Sequence, residues 1–593
     1  MKNPTSQRIA ALRTEMHLHG IDAVIIPQTD PHQSEYISGH WQVRRYFSGF
    51  TGSAGTLVVT ADQALLWTDS RYFIQAAQQL AGSEIKLMKD GLSDTPSIES
   101  YLIDNLPSGA TVGIDGMLFS AKSAKSLKKD MEAHNLKLVT DFDVVDNVWT
   151  DRPALPKDKI FEHDTKYAGA SAKSKLEGIL DDAKRQMADT ALISPLDEIA
   201  WALNIRSRDV KYNPVATAYL YVAPGKSTLF IDPDKLTPAV IEYLSEEGVD
   251  TLPYSDIKEF VGNLPSDVKV LAEEARTSTT LASLLGNRAV YGTSPVSIPK
   301  ACKNDVQVQG MRDAMTRDGV ALVKAFKEIE EAMANGTRLT ELDVDAALRK
   351  YRSQMDLFFD ESFGTIAGYG PHGAIVHYEP DDESNAVIKP NGLLLVDSGA
   401  QYLDGTTDIT RTVAMGEPTA MEKHDFTLVM KGHIALAMMV FPEGTRGAQL
   451  DVEARKYLWR EGLSYLHGTG HGVGHFLNVH EGPQSIRLND VPTPLMPGMI
   501  TSNEPGLYRE GIHGIRCENL VLCVEDMTTD FGKFLKFETL TLFPFDLKLF
   551  ETEIMTPEEI AWVNDYHKQV RKALSPYLDE SERAWLENKT AEL

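Results

Sequence analysis

Basic charge is what this sequence has little of. It sets 59 Lys and Arg against 85 Asp and Glu, a net charge of −26 over 593 residues. A surface of that sign repels nucleic acid and anionic membranes and favours solubility, so neither is expected as a partner. Cysteine is scarcer: only Cys302, Cys517 and Cys523 occur. Three thiols in so long a chain make no disulfide framework, and a reducing compartment is expected. Long apolar runs are missing as well. Nothing approaches the ~18 consecutive apolar residues of a membrane span. Met1 to Asp22 mixes Arg8, Arg13, Glu15, His17 and His19 among its apolar residues, unlike the core of a signal peptide. The expectation is a cytoplasmic protein.

At ~150 residues per domain the length predicts three to four domains. The first two look like copies of one plan. Ile21 to Pro27, with Asp22, Asp30 and Tyr36, resembles Ala188 to Ser194, with Asp189, Asp197 and Trp201. Leu65 to Asp69 resembles Thr228 to Asp232, and Asn105 to Ser108 resembles Asn263 to Ser266. The offsets shrink from 167 to 163 to 158, as small loop deletions would produce. Short strand-like runs alternate with amphipathic helix patterns such as Ser70–Leu80 and Thr277–Leu285, which reads as α/β. A Pro-rich linker, Thr150 to Pro156, divides the copies. A long helix is expected after an N-cap at Asn304 or Asp305, with Val308, Met311, Met315, Val320, Leu322, Val323 and Phe326 on its apolar side. The expected division is 1–152, 153–303, 304–545 and a helical extension 546–593. That tail holds Trp562, Tyr566, Tyr577 and Trp585 and is expected to pack rather than hang free.

The chemistry concentrates in the third segment. After the Asn391-Gly392 turn, Leu393 to Val396 ends in Asp397, and a second predicted strand, Thr406 to Thr412, carries Asp408. Carboxylates on buried neighbouring strands repel, which raises a pKa or recruits a cation. Leu466 to Pro483 packs His467, His471, His475 and His480 among five glycines. Glycines let backbone approach a ligand closely, and imidazole is the commonest metal ligand. Met499 to Gly506 delivers Glu504 before a turn. Gly514 to Leu522 alternates around Glu518, with Arg516 on the same face. Four carboxylates with one imidazole suit a hard or borderline divalent ion such as Mn²⁺, and tolerate Co²⁺ or Zn²⁺. Their charge is balanced better by two ions than by one, an arrangement that hydrolyses amides.

The stretch from Gly364 to Glu525 resembles the pita-bread metallopeptidases, the family of methionine aminopeptidase, prolidase, aminopeptidase P and creatinase. The carrying motifs are Gly373 to Tyr378, Asp397 to Tyr402, His467 to Gly474, Phe476 to Pro483 and Asn503 to Gly506. Ser48 to Thr56 and Trp67 to Phe73 extend the likeness to the N-terminus, in the manner of the long three-domain cytosolic aminopeptidase P branch. The resemblance implies two similar creatinase-like N-terminal domains followed by a pita-bread catalytic domain. It implies hydrolysis of an N-terminal Xaa-Pro bond by a hydroxide between two Mn²⁺ ions, in a homodimer acting on peptides with proline second. It also implies Asp397, Asp408, His471, Glu504 and Glu518 as metal ligands, with Asp408 and Glu518 bridging and Glu504 shuttling a proton. His377, His480 and His471 would line the substrate, and His467 would belong to the active site. Arg516 would orient the carboxylates, and Arg71 would contact the peptide across a dimer. No role follows for His475 or His372.

Three other readings compete. A prolidase-type dipeptidase shares the five ligands but cuts only dipeptides. A non-catalytic peptide-binding relative would have lost ligands that are all present here. Creatinase, the metal-free member of the fold, lacks the complete carboxylate set.

Overall fold

The computed structural model describes residues 4–593, which form two compact units. One comprises the residues up to Asp164 together with Ala170–Val296, the other Thr165–Gly169 together with Ser297–Leu593. Among the described residues no helix is long and apolar enough to cross a membrane.

The first unit holds two six-stranded sheets of one design. Strands β1 (Ala23–Pro27), β2 (Thr56–Thr60), β3 (Ala64–Thr68), β4 (Ile85–Lys89), β5 (Thr111–Gly113) and β6 (Lys137–Val139) lie in the order β4-β3-β2-β1-β5-β6. Strands β7 (Thr190–Ile193), β8 (Ala218–Val222), β9 (Ser227–Ile231), β10 (Val249–Leu252), β11 (Val270–Ala272) and β12 (Ala289–Tyr291) repeat it as β10-β9-β8-β7-β11-β12. In each sheet the first strand runs antiparallel to one neighbour and parallel to the other. Both are buried across nearly their whole length, which is why they read as continuous apolar runs. The duplication read from the spacing is therefore present in the topology. It also has a symmetric junction. Helices α1 (Ala121–Ala133) and α2 (Thr279–Leu285) start from the equivalent caps Ser120 and Ser278. Ala121 N donates to Thr277 O at 2.9 Å, and Thr279 N donates to Phe119 O at 2.8 Å. Each pair maps onto the other by the 158-residue offset, so a local two-fold relates the copies.

The second unit opens with the 30-residue helix α3 (Asp305–Ala334), capped by Asn304 in a reciprocal exchange with Gln307. Met311, Met315, Val320, Leu322, Val323 and Phe326 are buried as the periodicity requires. Helix α4 (Glu341–Arg352) packs against it, and the buried Arg352–Asp318 pair ties the two. Next comes an antiparallel sheet of β13 (Ile366–Tyr369), β14 (Leu393–Ser398) and β15 (Ile409–Ala414), with β14 central. A larger sheet follows. Strands β16 (Val440–Pro442), β17 (Gly470–Gly472), β18 (Glu481–Ile486), β19 (Ile500–Asn503), β22 (Asn519–Thr529) and β23 (Gly532–Thr539) take the order β16-β23-β22-β19-β17-β18. The hairpin of β20 (Gly506–Arg509) and β21 (His513–Arg516) stands apart from it. Helices α5 (Pro557–Leu574) and α6 (Glu580–Lys589) form the tail. Tyr566 is buried in the main core and Trp585 packs against it, whereas Tyr577 is largely exposed.

Two expected strands are each broken in the structure. The run Thr406–Thr412 divides into Gly405–Thr406 and β15, leaving Asp408 between them. The run Gly514–Leu522 divides into β21 and β22 at Cys517-Glu518. At that break Glu518 N leaves the ladder to donate to Thr410 O at 3.1 Å. Both breaks fall at carboxylates that must leave the pleat to converge. Residues 297–303, which the sequence division groups with the second domain, pack with the second unit. Cys302 bridges to Met499, and Lys303 N donates to Gly498 O at 2.9 Å.

The support for the site is β14. Leu394 is fully buried and pairs with Tyr369 and Val413. Leu394→Ala should destabilise the second unit by about 2–5 kcal/mol in denaturant unfolding. A loss below about 0.5 kcal/mol would show that this strand is not a structural support.

Candidate metal centre

Asp397 sits at the end of β14, directly across the ladder from Thr410 of β15. Arg516, at the end of β21, reaches across and donates from Nε at 3.1 Å and Nη2 at 2.5 Å, both to Asp397 Oδ2. The other oxygen, Oδ1, is buried with no hydrogen-bond partner. Thr410 Oγ1 accepts from Arg516 Nε at 3.1 Å and donates to Glu518 Oε2 at 2.9 Å. One hydroxyl thereby sets the spacing of Arg516 and Glu518. This keeps the two on one side, as the strand alternation predicts, even though the strand itself breaks.

His471 on β17 completes the group. Its Nδ1 lies 2.9 Å from Gly472 O, an acceptor only, so Nδ1 carries the hydrogen and Nε2 keeps its lone pair in the neutral ring. Nε2 faces Asp408 Oδ2 and Glu504 Oε1, each at 3.5 Å. Ser502 Oγ donates to Glu504 Oε1 at 3.1 Å and accepts from His471 N at 3.0 Å, fixing both ligands from one position on β19. Atoms of Asp408, His471 and Glu518 all lie within 4.8 Å of one another. Glu504 reaches the same His471 nitrogen, and Asp397 is connected to Glu518 through Arg516 and Thr410.

The electrostatics follow from this crowding. Burial raises the pKa of Asp397 despite Arg516, with the charge of Asp408 adding to the rise. Burial and the neighbouring carboxylates push Glu518 well above the usual range. Burial likewise raises Glu504 to about 7, against the opposing pull of His471 and Arg516. For His471 burial disfavours the charged ring, but the hydrogen bond to Asp408 and the charges of Glu504 and Asp408 outweigh it, and the value rises to about 9. Without a cation, the site can relieve its repulsion only by taking up protons. The unpartnered Asp397 Oδ1, the inward lone pair of His471 and four acids fit divalent cations, which would satisfy all of them.

The remaining expected residues lie nearby or elsewhere. The His480 ring meets His471 edge-to-face, 4.4 Å between centroids. His467 donates from Nδ1 to Gly468 O at 2.7 Å, so its Nε2 accepts from Tyr508 OH at 2.8 Å, and that hydroxyl accepts from Arg516 Nη1 at 2.8 Å. His377 follows a tight turn, Gly370–Ala374. The segment around it is held by Glu341. This fully buried carboxylate accepts from Tyr369 N and Ala386 N at 2.7 Å, from His372 Nδ1 at 2.9 Å and from Tyr378 OH at 2.8 Å. Arg71 belongs to the first unit, where its guanidinium closes on Asp69 at 2.8 and 2.9 Å. His475 is buried beside Gly310 of α3. Sequence reasoning missed Thr410, Ser502, Tyr508 and Glu341. Glu341 reads as an ordinary first-turn acid, and Tyr508 lies in no motif. Only Thr410 and Ser502 carried a signal, as polar residues inside apolar strands.

A pH dependence follows. Folded pKa values of Glu504 and His471 lie above the ordinary 4.5 and 6.5, so the folded state binds more protons than the unfolded one. Their contribution is complete below those ordinary values and is lost as pH rises through about 7 and about 9. The melting temperature of the chelator-treated protein should therefore fall from pH 5 to pH 9, and added divalent cation should remove the decline. A metal-free melting temperature that rises over this range would contradict the geometry.

Comparison with known proteins supplies a family. Residues 309–525 match the model of metallopeptidase family M24. Residues 8–147 and 151–307 each match a creatinase/prolidase N-terminal domain, and 533–593 match the C-terminal region of peptidase M24. The chain is 45% identical to aminopeptidase P2 of Arabidopsis thaliana, over 97% of its own length and 86% of that protein. It is 42% identical to a probable Xaa-Pro aminopeptidase P of Laccaria bicolor, over 99% and 94%. The crystal structure of X-prolyl aminopeptidase from Caenorhabditis elegans, a cytosolic enzyme with a di-nuclear active site, matches with a TM-score of 0.96 at 35% identity, covering 99% of this chain and all of that one. With relatives matched along nearly their whole length, the chain belongs to the Xaa-Pro aminopeptidases of metallopeptidase family M24.

Proposed function

We propose that the protein removes the N-terminal residue from peptides whose second residue is proline, using two divalent metal ions. The carrying observation is that Asp408 and Glu504 face the inward nitrogen of His471, that Asp408 and Glu518 cluster with that ring, and that Asp397 Oδ1 is left for a cation. Asp397, Asp408, His471, Glu504 and Glu518 would hold the ions. Bound ions would supply Lewis-acid polarisation of the scissile carbonyl and activation of water at neutral pH. Manganese suits this donor set best, with cobalt or zinc tolerated.

The chain's own groups do the rest. The Xaa-Pro bond is a tertiary amide whose nitrogen carries no hydrogen, so the departing proline must be handed a proton. Glu504 would take one from the attacking water and deliver it. Its Oε1 is engaged by Ser502, which leaves Oε2 to carry the proton. His377 and His480 would donate to the developing oxyanion. Arg516 holds Asp397 in place and, through Tyr508, holds His467. We further propose that Arg71 contacts the peptide within a homodimer and that the protein is cytoplasmic. We retain the division 1–152, 153–303, 304–545 and 546–593 for its domains.

Two experiments test this. Arg-Pro-Pro should lose its arginine while Gly-Pro stays largely intact; the reverse preference would mean a prolidase-type dipeptidase. Asp408→Asn should lower kcat/KM at least ~100-fold with an unchanged circular dichroism spectrum. Near-normal activity in that variant would show that the ligand assignment is wrong.

A further inference from the structure

Beneath the glycine-rich loop lies an ionic cluster that the reaction does not use. Glu481 opens β18, opposite Gly472 and next to His480. Its side chain is completely buried, and two lysines converge on it. Lys300 Nζ lies 2.7 Å from Oε2, and Lys303 Nζ donates to Oε1 at 2.6 Å. Their side chains are only 3% and 1% exposed. A buried ion pair is costly to form, and a second cation on one carboxylate is costlier still. A simple staple for the chain would need one lysine.

The position of the cluster is informative. A Cβ on Gly474 would come within 3.1 Å of Glu481 Oε2, so the carboxylate is pressed against the loop. Both lysines lie just ahead of α3, where the backbone of residues 302–303 is bonded to Gly498 and Met499. That segment leads into β19 and Glu504. The cluster therefore ties together the backbones that carry His471, His480 and Glu504.

We propose that Lys300, Lys303 and Glu481 are positioning residues that hold His480 against His471 in its working orientation. This rests on the role given to His480 above. It makes Lys300 and Lys303 supports of the site, although they precede the segment that carries every predicted ligand. The test is a kinetic cycle on full-length, metal-loaded protein with an Xaa-Pro peptide. Lys303→Met leaves Lys300 to balance Glu481, so the fold and metal content should be kept. It should lower kcat about tenfold with KM little changed. His480→Ala should lower kcat ~100-fold or more. The double variant should be no slower than His480→Ala alone, and Lys303→Arg should restore most of the rate. A wild-type kcat in Lys303→Met, or losses that multiply in the double variant, would overturn the proposal. A wild-type kcat in His480→Ala would instead overturn the reading of His480 itself. Should Lys303→Met fail to fold, Lys300→Met carries the same cycle with the same expectations.

Discussion

Four carboxylates forced together out of water are the constraint around which the second unit is organised. Like charges at this separation in a buried site repel strongly, and each can ionise only if something opposes the others. The protein supplies partial opposition. Arg516 takes one oxygen of Asp397, Thr410 and Ser502 hold Glu518 and Glu504, and His471 faces two acids at once. Behind them lies Arg411, fully buried and stacked 4.0 Å over Phe545. It donates to the carbonyls of Glu518, Thr410, Phe543 and Pro544, to Asn519 Oδ1 and to Tyr566 OH. None of these acceptors is charged. A buried guanidinium whose bonds all go to neutral groups places its charge behind the carboxylates without being neutralised by one. Through Tyr566 it also makes the C-terminal helix α5 part of the site's backing.

How much of this was legible in the sequence depends on the distance over which each feature is encoded. The long helix announced itself by a local cap and a 3.6-residue period, and it lies where Asn304 and its apolar side place it. The duplicated N-terminal design was readable because both copies keep the same order of short motifs, and the two sheets share one topology. The proposed ligands could be singled out because each sits beside a strand end or glycine run with a strong local signature. The strand breaks at Asp408 and Cys517-Glu518 were not, because they arise from convergence between segments about a hundred residues apart. Glu341 and Arg411 were invisible for the same reason. A lone acid at a helix start and a lone arginine in a strand acquire meaning only from the donors and acceptors that tertiary structure brings to them.

The same geometry connects fold to chemistry. The tertiary amide of an Xaa-Pro bond demands a proton donor for its leaving nitrogen. In the bare site burial raises Glu504 to about 7, with the neighbouring carboxylates adding to the rise, and Glu504 is the carboxyl proposed as that donor. Structure and proposed reactivity thus meet in one place, the buried carboxylates around His471.

The most direct measurement is a titration of divalent manganese into chelator-treated protein, followed by hydrolysis of an Xaa-Pro peptide. The proposed two-ion site predicts no activity without metal and a plateau at two equivalents per chain. A plateau at one equivalent, or turnover in the metal-free protein, would contradict the account.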